Sequence, residues 1–89
     1  MSTENVDEIT PSQCRGARAL LDMTQPDLAQ AANLGLSTIV DFERMRRAVS
    51  KEAVVALRLA LEQRGIIFIS ENGGGPGVRL RKKSSKKGS

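Results

Sequence analysis

The chain has 89 residues, with 14 Lys and Arg against 10 Asp and Glu and a formal charge of +4. That length allows one small domain, of a size that buries only about 60–65% of its unfolded surface. It has no His, Trp or Tyr, one Cys and two Phe, which excludes a His/Cys zinc site, a Cys–His dyad and a Ser–His–Asp triad and leaves no aromatic platform for stacking single-stranded bases.

Residues 1–9 are polar, carry Glu4, Asp7 and Glu8 without a base, and read as a disordered N-terminus. Thr10-Pro11 then opens a helix. Thr10 is the N-cap, Pro11 stands at the first helical position, and Gln13 completes a capping box. Cys14, Ala17, Leu20 and Leu21 follow at helical spacing, so a first helix is predicted over 11–22. Thr24 and Pro26 repeat the opening signal for a short helix over 25–32, with Leu28, Ala29 and Ala32 on its apolar face. Asn33, which tolerates a left-handed φ, ends it, and Leu34-Gly35 continues the turn. A third helix begins at Gly35 or Leu36 and ends near Met45, burying Ile39 and Phe42. Ser50 caps a fourth helix over 51–64, whose core side carries Val54, Leu57 and Leu61 with the small Ala53, Ala56 and Ala60, and Gly65 closes it.

The pattern then changes. Ile66–Ile69 is β-branched and aromatic, 72–77 is a turn cluster, and Val78–Arg81 alternates apolar and basic, which predicts a β-hairpin. The turn lacks the Gly-Lys-Ser/Thr of a phosphate loop and reads as mobile. Residues 82–89 read as a disordered basic tail. The expected organisation is therefore 1–9, a helical domain over 10–65, a hairpin over 66–81 and a tail over 82–89.

The positive charge is concentrated in two places. One holds Arg44, Arg46, Arg47 and Lys51, just after the third helix; the other holds Arg79, Arg81, Lys82, Lys83, Lys86 and Lys87. Clustered bases suit a polyanion, because neutralising a phosphate releases condensed counterions; a solvated basic face with a solubilising tail has the same composition. Cys14 stands alone on an apolar helical face and reads as core rather than as a redox sensor. The lone cysteine, the absence of a long apolar run and the acidic N-terminus suit a cytoplasmic protein without a membrane partner.

The segment 24–47 reads TQPDLAQAANLGLSTIVDFERMRR, two short helices around a tight turn, the layout of a helix-turn-helix. With Thr24-Gln25, Leu28-Ala29, Leu34, Ser37-Thr38-Ile39 and Phe42-Glu43 in order, it resembles the XRE-type, phage-repressor-like transcriptional regulators over about residues 11–64. The Gly-rich end, 71–80, is similar to the tail of short bacterial regulators of that type. The resemblance implies a mainly α fold: a four-helix phage-repressor-like helix-turn-helix domain followed by a C-terminal β-hairpin in place of the family's fifth helix.

It also implies roles. Leu36, Ser37, Val40, Asp41 and Arg44 match the base-facing side of the recognition helix. Gln25 matches a position whose side chain or backbone contacts a phosphate, and Arg46, Arg47 and Lys51 follow where the family's loop touches phosphates. Arg18 and Glu43 match a structural ion pair, and Thr38 is expected to pack against the first helix of the motif. Met45 departs from the family, which often has Gly there, and Asp41 is unusual on a groove-facing side.

The apolar hairpin, Ile66, Ile67, Phe68, Ile69, Val78 and Leu80, is expected to cover the fourth helix and to pair with a second chain in a twofold homodimer. The expected function is sequence-specific binding of double-stranded DNA as a transcriptional regulator, repressing by occlusion, without cofactor, metal or enzymatic activity. Two alternatives are a protein-interaction module, such as an antitoxin or adapter with a protein partner, and non-specific nucleic-acid binding through the basic tail.

Overall fold

The computed structural model describes residues 8–81, and the expectations for 1–7 and 82–89 lie outside them. Four helices and a two-stranded antiparallel sheet follow in chain order: α1 (Pro11–Leu21), α2 (Gln25–Ala32), α3 (Leu36–Glu43), α4 (Lys51–Glu62), β1 (Ile66–Ile69) and β2 (Gly77–Leu80). The fold is mainly helical.

Local chemistry sets the helix ends. Thr10 and Gln13 form a reciprocal capping box at α1, and Thr24 and Asp27 form another at α2. The Ser50 hydroxyl accepts from the Ala53 N–H at α4. The N–H donated by the Thr24 backbone, followed by its side-chain contact, holds the Asp27 carboxyl below the usual range.

Three helices end in the same way, with a non-glycine residue in the left-handed region: Asp22 (φ 57°), Asn33 (φ 59°) and Met45 (φ 57°). After each, the next N–H reaches back to the last helical turn: Met23 to the Arg18 carbonyl, Leu34 to that of Ala29 and Arg46 to that of Asp41, each at 2.9 Å. This is the Schellman closure. It ends α1 at Leu21 and α3 at Glu43, earlier than the apolar spacing predicts.

The core is built from Cys14, Ala17, Leu28, Ile39, Phe42, Val54, Leu57, Ala60, Leu61 and Ile66, one group shared by α1 to α4 and β1. Ile9 belongs to it at 5% exposure. The ordered domain therefore begins before the capping signal, and the reading of 1–9 as disordered fails at Ile9. Burying a side chain of the size of Leu57 or Leu61 contributes roughly 1.5–3 kcal/mol.

The strands pair in the register Ile66↔Leu80, Ile67↔Arg79, Phe68↔Val78 and Ile69↔Gly77. The left-handed backbone of Gly65 (φ 103°) turns the chain from α4 into β1. Packing is divided: β1 lies on α4, and β2 lies on α1. Gly16 makes the second contact close, since a Cβ there would meet Val78 Cγ2 at 3.2 Å. The expected cover for α4 alone is thus a cover for both helices. Gln13 locks it, its Nε2 donating to the carbonyls of Ile69 (3.1 Å) and Gly77 (2.9 Å). Within the turn, Glu71 Oε2 accepts the N–H groups of Gly73 (3.0 Å) and Gly75 (3.1 Å).

Candidate nucleic-acid interface

α2 and α3 are joined by Asn33, Leu34 and Gly35, a connection short enough to hold the two helices as a unit. Ile39, Phe42 and Glu43 form the buried side of α3. Leu36, Ser37, Val40, Asp41 and Arg44 fall on the other side, at i, i+3 and i+4 spacing. Leu36, Ser37 and Arg44 are exposed, whereas Val40 and Asp41 are half-buried. Thr38 is half-buried and lines a hollow with Leu34, Ala48, Val49 and Ala53.

The buried side is organised by one carboxylate. Glu43 is only 1% exposed. Its Oε1 accepts from Arg18 Nη2 at 2.7 Å and from Gln25 Nε2 at 3.0 Å; its Oε2 accepts from Arg18 Nε at 2.8 Å and from the Cys14 thiol at 3.0 Å. Arg18 also donates to the Met23 carbonyl at 3.0 Å, and Arg15 donates to the Glu43 carbonyl. One side chain thus ties α1, α2 and α3 together.

Burial works against the Glu43 carboxylate, but the contacts from Arg18, Cys14 and Gln25 outweigh it and hold its pKa below the usual range. The hydrogen bond to Glu43 raises the Arg18 pKa in return. Burial, followed by the contact with Glu43, pushes the Cys14 thiol up, so it stays protonated and serves as a donor.

This network relocates a predicted residue. The Gln25 side chain turns inward onto Glu43, away from the side-chain phosphate contact expected of it. Cys14 and Gln25 were not read as partners of Glu43. The spacing of Cys14 and Arg18, four residues apart on α1, was the signal available, since it places both on one side of that helix.

The outer side is polar and partly neutralised. Asp41 Oδ2 lies 2.6 Å from Arg47 Nε, with Asp41 at 15% and Arg47 at 67% exposure. Asp41 therefore presents a paired rather than an isolated charge, and Arg47 is engaged on the same face. Arg44, Arg46 and Lys51 are exposed and have no ion pair among the described residues. They cluster because α3 ends at Glu43 and the chain turns sharply at Met45, whose left-handed backbone does here what glycine does more cheaply.

Most of the hairpin's apolar surface is used within the chain. Ile66 is 1% exposed, and Phe68 and Val78 pack against the core, which removes all three from the set expected to face a second copy. Ile67 and Ile69 are half-buried and Leu80 is exposed. The Arg58 guanidinium stands 5.8 Å from the centre of the Phe68 ring and pairs with Glu62 at 2.8 Å.

Among the described residues no group of three or more potential metal-ligating side chains converges, and no helix is long and apolar enough to cross a membrane. No family model and no curated protein matches the chain.

Proposed function

We propose that this protein is a sequence-specific duplex-DNA-binding regulator of the XRE type, with α2 and α3 as its helix-turn-helix and α3 as the recognition helix. The observation that carries the reading is the division of α3 into a fixed inner side and an open outer side. Glu43 anchors the helix to α1 and α2, while Ser37 and Arg44 stay exposed away from it and Leu36 is exposed at the open N-terminal end of the helix.

Those residue types suit a major groove. Leu36 and Val40 offer apolar contact to a thymine methyl, Ser37 bonds to any base edge or to phosphate, and Arg44 can take guanine in a bidentate contact. Arg46 and Lys51, beside the end of α3, suit the phosphate backbone. The Asp41–Arg47 pair removes the repulsion that an unpaired carboxylate would meet there. Repression would follow from occlusion of the bound site. Two copies related by a twofold axis, meeting through Ile67, Ile69 and Leu80, would present two recognition helices to half-sites about one helical turn apart.

The test is salt-dependent binding to a duplex. Arg46→Glu combined with Lys51→Glu should weaken binding on every sequence and reduce the salt slope by about two, near 0.9 for each lost phosphate contact. Unchanged affinity and slope would contradict the proposed DNA face. Loss of all binding on removal of 82–89 alone, with the double variant silent, would favour the tail as the binding element.

A further inference from the structure

The inner side of α4 is fully used: Ala53, Val54, Leu57, Ala60 and Leu61 are buried. Its outer side is not. Val55 is 47% and Leu59 51% exposed; they stand one turn apart and form a shallow apolar hollow of about 370 Å³ with Lys51, Glu52 and Ala56. Leu36 and Met45 lie on or beside the proposed DNA face and Leu80 lies on the hairpin, but Val55 and Leu59 have no partner in the fold. At 3.6 residues per turn they fall about 20° to either side of the midline opposite the buried residues. Lys51 and Glu62 lie on the Val55 flank of that midline, and Glu52 and Gln63 on the Leu59 flank.

We infer that this outer face pairs with the same face of a second copy, the two α4 helices running antiparallel about a twofold axis level with Leu57. Such an axis keeps each flank on its own side and reverses the order along the helix. Val55 then meets Leu59 of the second copy, Lys51 meets Glu62, and Glu52 meets Gln63, each contact occurring twice. The charges are thus self-complementary. Lys51 and Glu52 have no ion pair among the described residues, and Glu62, held by Arg58 at 2.8 Å, gains a second cation. The antiparallel sense also sets the positive end of each helix dipole beside the negative end of the other. A parallel pair would align the dipoles and place Lys51 level with its own copy.

The face is small. Twelve residues at about 1.5 Å each give a contact about 18 Å long, well short of the roughly 800 Å² per partner of a standard interface. The association is therefore weak, with a Kd on the order of 0.1–1 mM. It involves none of Ile67, Ile69 and Leu80, so a chain paired through its hairpin keeps this second face, and two different twofold contacts link pairs into larger assemblies. The pairing does not rest on the nucleic-acid reading.

The experiment uses the full chain without nucleic acid. Sedimentation equilibrium and backbone amide spectra are recorded from about 10 μM to about 1 mM, a range that brackets that Kd. Pairing predicts a mass that rises with concentration, and resonances of Lys51, Glu52, Val55, Ala56 and Leu59 that move in step with it. Val55→Ser with Leu59→Ser should raise the Kd of this step at least tenfold, about 1.4 kcal/mol, while leaving the thermal midpoint near that of wild type. Lys51→Glu should raise it about three- to tenfold by setting like charges together, and Lys51→Glu with Glu62→Lys should recover most of the loss. Wild-type α4 resonances that stay fixed across the range overturn the proposal. So does an association that Val55→Ser/Leu59→Ser retains and Ile67→Ser/Leu80→Ser abolishes, which assigns it to the hairpin. Recovery by Lys51→Glu with Glu52→Lys, in place of Glu62→Lys, overturns the antiparallel arrangement, and recovery by neither overturns the charge pairing.

Discussion

The two sides of α3 obey opposite rules within eight residues. The inner side is closed: Ile39 and Phe42 are in the core, and Glu43 takes four side-chain hydrogen bonds from three other residues. The outer side is open: Leu36, Ser37 and Arg44 face solvent, and its one carboxylate is paired with an exposed arginine. A helix this short is marginal alone, so its position comes from the closed side. The open side is then free to vary without loss of fold. That separation lets one small domain present a defined surface while different side chains occupy it.

The comparison breaks most readily at Arg18. Arg18→Met leaves a buried carboxylate with only Cys14 and Gln25 as side-chain donors, and should cost about 3–5 kcal/mol. Urea denaturation measures it, and Arg18→Met with Glu43→Leu should recover most of the loss, because the stranded charge is gone. Equal stability of Arg18→Met and wild type would show that the inner side does not depend on this pair. By contrast, Ser37→Ala with Arg44→Ala should change stability by no more than about 0.5 kcal/mol, the usual range for surface positions.

Acid sharpens the same contrast. The folded Glu43 carboxyl has a lower pKa than the unfolded one, so the unfolded chain takes up the proton more readily. The contribution is complete above the unfolded value of about 4.3 and is lost as pH falls through the folded value. Thermal melts between neutral and strongly acid pH should show this loss, and Glu43→Gln, destabilised at neutral pH, should show a shallower acid limb. Identical acid limbs would remove Glu43 from the account.

A modest gain, rather than a loss, is expected at the join between the two sides. Met45 holds a left-handed φ of 57°, which costs a side-chain-bearing residue roughly 1–2 kcal/mol. Met45→Gly should raise stability by up to about 1 kcal/mol, the rest being offset by the greater backbone freedom of glycine in the unfolded chain. Denaturant midpoints measure it.

Much of the fold was legible because its signals are local. Thr10-Pro11, Thr24-Pro26 and Ser50 mark three helix starts within a few residues of the hydrogen bonds that make them. The apolar spacing of α4 and the run Ile66–Ile69 needed only short windows. The first and third helices end within two residues of where the spacing predicts, but the left-handed backbone at Asp22 and Met45 was not legible, because neither type favours that region as strongly as glycine and tertiary packing overrides the preference. Gln13 illustrates a second limit. Its capping role is written three residues away, but its bonds to Ile69 and Gly77 cross 56 and 64 positions, and no periodicity encodes such a contact.

The proposed site divides similarly. The side of α3 that stays exposed follows from 3.6-residue spacing. The inward turn of Gln25 and the Asp41–Arg47 pair do not, since each is decided by a partner placed by the fold. The central claim, that the open side of α3 reads duplex sequence, is tested most directly by selecting bound duplexes from a random pool at physiological salt, with wild type beside Ser37→Ala/Arg44→Ala. The account predicts a palindromic consensus for wild type and its relaxation in the variant, with about 1–3 kcal/mol of discrimination lost at the contacted base pair. A pool that wild type leaves unenriched, or the same consensus from both proteins, would contradict it.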